Sequence, residues 1–156
     1  MKNRISVIIA VVSPLIISYC LVSGGCQPVS GYITVDSRSG LIQPTFCLYR
    51  DASLQERLDI RTIVVWKVQR STEFDSHWDR IEQVWSLSCI KPTSPVSCLT
   101  YGEVPPDYQA DVKAVPLEPE QFYSVWLPGF RGVDSEDRYF IIRLDDNGIP
   151  ERLESR

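Results

Sequence analysis

The stretch 58–69 constrains the fold more than any other. Leu58, Ile60, Thr62, Val64, Trp66 and Val68 recur at every second position, so an extended chain presents them on one face. Ile63 and Val65 make the opposite face partly apolar, as expected of a central strand covered on both sides. A helix would scatter this period-2 set around its circumference. The same reading predicts strands over 32–35, 44–49, 80–89, 98–102, 121–127 and 139–144. In the fourth of these seven, Ile81, Gln83, Trp85, Leu87 and Cys89 share a face. Turn residues close the first strand at 36–40, and 102–119, with four prolines, reads as a long surface crossover. Asp146-Asn147-Gly148 reads as a tight hairpin turn with two residues at positive φ, and 149–156 as a short edge strand or a frayed tail. No helix-period run of useful length interrupts this pattern. About seven short strands separated by turn signals predict an all-β, antiparallel β-sandwich.

One local pattern sharpens the prediction. Leu117-Glu118-Pro119-Glu120-Gln121-Phe122-Tyr123-Ser124-Val125 resembles the corner and following strand of fibronectin type III and other immunoglobulin-like domains. The resemblance implies that the Tyr123 ring enters the core while its hydroxyl ties down the crossing backbone. Trp66 resembles the core tryptophan of that superfamily. The alternation assigns Trp66, Trp85 and Trp126 to the core and leaves Trp78, beside His77, Asp75 and Asp79, as the exposed aromatic. An exposed aromatic ringed by acids suits a basic protein partner, so Trp78, Asp75 and Asp79 are the candidate partner-binding residues.

The front of the chain carries an address. Lys2 and Arg4 precede an apolar run over 5–17, and small residues then lead to Cys26. This is the charged, apolar and cleavage-region order of a secretory signal. Pro14 breaks the run, which is shorter than the roughly 20 residues a spanning helix needs. Leu21-Val22-Ser23-Gly24-Gly25-Cys26 resembles a bacterial lipoprotein signal, in which the cysteine is lipidated and becomes the mature N-terminus. Ser23 departs from that pattern, where Leu, Val or Ile is usual. Cys20 is the poorer cleavage point, because bulky Tyr19 precedes it. Gln27, being non-acidic, resembles an outer-membrane sorting signal. The organisation predicted is a signal peptide over 1–25, a lipidated tether over 26–31 and one β-sandwich over 32–156, anchored on the periplasmic face of the outer membrane.

Composition narrows the partners. Of 156 residues, 44% are hydrophobic, enough to bury a core. Loss of Lys2 and Arg4 takes the net charge from −4 to −6. An acidic domain without a basic stripe argues against nucleic acid and mildly for a basic protein. Of five cysteines, Cys20 leaves with the signal and Cys26 carries lipid, so Cys47, Cys89 and Cys98 share one bridge and one leftover thiol. All three pairings are open. Cys89–Cys98 has a slight preference, since the two flank a proline-containing loop between strand-like runs. A Cys47 bridge would close a longer loop and remove more unfolded-state entropy.

The residues point away from catalysis. His77 is the single histidine, in a predicted loop, and no thiol has a signature around it. One histidine and scattered cysteines give no zinc spacing. Asp145-Asp146-Asn147-Gly148 lacks the distal glutamate of a calcium loop, and Gly129-Phe130-Arg131-Gly132 lacks a phosphate-loop lysine. No catalytic residue, metal or cofactor is therefore expected.

Trp85-Ser86-Leu87, Leu99-Thr100-Tyr101-Gly102-Glu103-Val104-Pro105, Pro116-Leu117 and Tyr123-Ser124-Val125 together resemble a family of small enterobacterial lipoproteins regarded as type VI secretion immunity proteins of the periplasm. Phe46-Cys47 and Phe140-Ile141-Ile142 agree in position. The resemblance implies a non-enzymatic protein that captures a toxic effector, and it carries no site residues over. The alternative from the residues alone is a structural or assembly lipoprotein that holds another envelope component.

Overall fold

A computed structural model describes residues 31–71, 77–91, 96–128 and 138–156. Nine strands are described: β1 Tyr32–Asp36, β2 Thr45–Tyr49, β3 Thr62–Arg70, β4 Trp78–Cys89, β5 Cys98–Thr100, β6 Tyr108–Val112, β7 Phe122–Trp126, β8 Arg138–Leu144 and β9 Pro150–Ser155. They form two antiparallel sheets, β1-β2-β5 and β6-β4-β3-β7-β8-β9. The expected β-sandwich is therefore the fold. Strands 1-2-5 face strands 4-3-7-8 in an immunoglobulin/fibronectin III-like order, with β6 and β9 added at the two edges of the larger sheet.

The core lies where the two sheets meet. Ile33, Phe46 and Leu48 from the small sheet meet Ile63, Val65, Trp85, Leu87, Tyr123, Val125, Phe140 and Ile142 from the large one. Ring contacts cross between the layers: Phe46 lies 6.2 Å from Trp85 and 5.7 Å from Phe140. Arg138 closes one side of the sandwich, donating from Nε to the Ile33 carbonyl at 3.1 Å and covering the Tyr32 ring.

The corner behaves as its resemblance implied. Tyr123 is buried, and its hydroxyl accepts a hydrogen bond from the Glu118 backbone N–H at 2.8 Å. Lys67 clamps the same corner through Glu118, and Arg143 through Glu120. Glu120 sits at φ 58, a left-handed conformation that costs a non-glycine residue roughly 1 kcal/mol or more. Its carboxylate offsets that cost by accepting from the Leu144 N–H and from Arg143.

Several expectations are corrected. The bridge is Cys47–Cys98, and Cys89 is the free thiol. Cys47 and Cys98 sit directly opposite each other on β2 and β5. Cys89 ends β4 in the other sheet, opposite Tyr108, so β4 and β5 belong to different layers and form no hairpin. The predicted crossover contains β6, which pairs with β4. Two buried tyrosines pin its ends: the Tyr101 hydroxyl donates to Val115 O, and the Tyr108 hydroxyl to Ile60 O. Register shifts at two points of the β3–β4 pairing break the simple alternation of β4, and Ile81 is exposed as a result. The Asp-Asn-Gly turn is wider than a two-residue hairpin. Leu144 pairs with Pro150, the Asp145 carboxylate accepts from the N–H groups of Asn147 and Ile149, and only Gly148 takes a positive φ.

Candidate functional site

The outer face of the large sheet is aromatic. Along β3, Ile63 and Val65 point inward, so Val64, Trp66, Val68 and Arg70 point outward. On β7 the outward set is Phe122, Ser124 and Trp126; their partners place Tyr139 and Ile141 of β8 on the same face. Trp66, Trp78, Phe122, Trp126 and Tyr139 are all half-buried there. This corrects the assignment of Trp66 and Trp126 to the core. Trp85 alone of the three is fully buried, and it fills the place expected of Trp66.

Two ring clusters cover this face. Arg80 places its guanidinium 5.6 Å from the Trp66 ring and 5.2 Å from the Trp126 ring. Such stacking holds a cation on an apolar surface while leaving its edge to donate hydrogen bonds. In the second cluster, Trp78 lies 4.6 Å from Phe122 and 5.5 Å from Tyr139. Trp78 opens β4 opposite Arg70, two residues before the predicted strand start at 80. The acidic tract before it obscured the strand start, which the pairing with β3 decides.

Beside Trp78 is an open groove of about 530 Å³, with Val68 and Phe122 among its walls and Gln69, Arg70, Gln121 and Arg156 around them. Gln121 is fixed by donating to the carbonyls of Val68 and Phe122, at 2.7 and 2.9 Å. Glu120 and Glu154 stand at this end, and both pair with Arg143. The Leu144 N–H and then Arg143 hold the Glu120 carboxyl below the usual glutamate range. Arg143 and Arg152 do the same to Glu154.

Of the candidate partner-binding residues, the structure puts Trp78 on this groove. Asp79 follows it in the strand and points to the other face, half-buried opposite Gln69. Asp75 and the candidate lipidation site Cys26 lie outside the described residues. Cys89 stands near the Tyr108 hydroxyl, which burial and then that thiol push up to about 12. Among the described residues no cluster of histidine, cysteine and carboxylate side chains is placed to hold a metal. No helix among them is long and apolar enough to cross a membrane. The site offers apolar ring faces, one fixed amide at Gln121 and paired charges.

No protein-family model, curated protein or solved structure matches this chain.

Proposed function

We propose that this protein is a lipid-anchored periplasmic binding module that captures and neutralises a type VI secretion effector without transforming it. The observation that carries the binding reading is the outer face of the large sheet. Five half-buried aromatic side chains on one rigid face form a surface of the composition that anchors protein interfaces. Sheet pairing holds those rings in place before any partner arrives, so little side-chain entropy is lost on docking. The net acidity of the mature chain steers a basic effector toward it. The leader and the cysteine at position 26 supply the tether, with palmitate among the attached chains, and a tethered module meets its target where the target acts.

The test combines genetics and capture. Deleting the gene and challenging the cells with type VI-armed siblings should lower survival, and the membrane-anchored protein should retain an effector. Trp78→Ala should weaken that capture about tenfold or more without unfolding the domain. Unchanged survival together with no captured effector would sink the immunity reading, and recovery of an envelope-assembly component would support the structural alternative. Labelled palmitate should appear on the wild type and vanish in Cys26→Ser.

A further inference from the structure

We propose that the groove beside Trp78 is a binding site for an N-acetylated amino sugar, a ligand distinct from the captured effector. The argument begins with shape. The main groove, about 530 Å³, lies in the usual range of small-ligand sites, roughly 300–1,000 Å³. A second concavity of about 60 Å³ shares Trp78, Phe122 and Arg156 with it and is walled by Tyr139, Phe140 and Ile141. The site is thus an open trough with a small, mainly apolar niche at its side.

Chemistry narrows the ligand. A pyranose ring has an apolar C–H face and a rim of hydroxyls. Trp78, held against Phe122 and Tyr139, supplies a flat apolar surface for the first. Planar polar groups serve the second, and here Gln121, Arg70 and Arg156 line the trough. Gln121 is already fixed by its two backbone acceptors, so binding does not have to order it.

The niche selects the substituent. It is large enough for an acetyl group, which needs no more room than about two water molecules at ~30 Å³ each. Its rings and Ile141 suit the methyl, while Glu154 and Arg156 offer an acceptor and a donor to the amide. A sugar bearing a plain hydroxyl at that carbon leaves the niche unfilled. One methyl group in an apolar pocket is worth roughly 10- to 200-fold in affinity, enough to make acetylation the deciding feature.

The full chain, purified in a detergent without a sugar head group, can be titrated with tri-N-acetylchitotriose and with cellotriose while tryptophan fluorescence and NMR shifts are followed. The acetylated trimer should saturate with a Kd below about 1 mM, and cellotriose should bind at least ~10-fold more weakly. N-acetylglucosamine as a monomer should bind more weakly than the trimer if the ligand is a glycan chain; equal affinity would assign the site to free sugar. Ile141→Phe fills the niche and should abolish the preference for the acetylated trimer. Arg156→Ala, whose backbone bonds to Tyr139 survive, should weaken the acetylated trimer at least ~5-fold and serves as an independent arm. No saturation by about 10 mM, equal binding of the two trimers, or unchanged binding in Arg156→Ala would overturn the proposal. So would occupation of the groove by the effector with no response to sugar, an outcome that leaves the capture reading intact.

Discussion

The two faces of the large sheet are built from the same strands and have opposite fates. On β3 and β7, Val65, Tyr123 and Val125 point inward and are almost wholly enclosed; Trp66, Phe122 and Trp126 point outward and are half-buried. Inside, rings pack on rings from two layers, with Trp85 touching Phe46 and Tyr101. Outside, rings hold guanidinium groups: Arg80 covers Trp66 and Trp126, and Arg143 covers Phe122. The difference teaches that ring burial here depends on a second layer, which the small sheet supplies on one side only. An aromatic set on the side that no second sheet of the described residues covers adds less to stability and can serve recognition.

The comparison can be broken most directly at the tryptophans. Trp85→Ala should cost about 3–5 kcal/mol in chemical denaturation, whereas Trp66→Ala should cost less than about 2 kcal/mol. Equal losses would mean that the outer face is core after all. The small sheet provides the next test. Cys47→Ala combined with Cys98→Ala should cost about 2–4 kcal/mol, because the bridge closes a chain separation of 51 residues, while Cys89→Ala should cost under about 1 kcal/mol. Peptide mapping without reductant should recover the Cys47–Cys98 pair and one alkylated Cys89.

A smaller effect is expected at the corner. Tyr123→Phe keeps the ring in the core but strands the Glu118 N–H, so a loss of about 1–2 kcal/mol is expected in the same denaturation assay. The smallest effect concerns pH. Glu120 and Glu154 are held below the ordinary glutamate value of 4.5, so the folded state favours their ionised forms. Their contribution is present above 4.5 and is lost as pH falls from there through their lower folded-state values. The melting temperature should therefore drop over that range, and Glu120→Gln should flatten the drop. A Glu120→Gln profile parallel to wild type would remove the Arg143 clamp from the account.

Much of the sandwich was legible because period-2 alternation is a local property. β3 shows it, although the strand begins at Thr62 and not at the predicted 58, and the corner at 117–125 likewise carries its signal within a few residues. β6 was not legible: Tyr108–Val112 is short, mostly exposed and flanked by prolines, and it becomes a strand only because the β4 edge needs a partner. The candidate site was half legible. Trp78 stood out by its neighbours, but Phe122 and Tyr139 looked like ordinary members of alternating strands. The one signal for the outer face was the near-equal apolarity of both sides of β3, which reads the same whether the second side is covered by the protein or by a partner.

By itself the chain determined its class: extended segments of alternating character, turn residues between them, and a tyrosine placed to lock a corner. These are short-range matters of backbone preference and side-chain period. Only the tertiary structure decided which thiols met, which tryptophan was enclosed and where a groove formed. Each of those depends on which strands lie side by side in which sheet, and residues as far apart as Cys47 and Cys98 become neighbours only when the layers assemble.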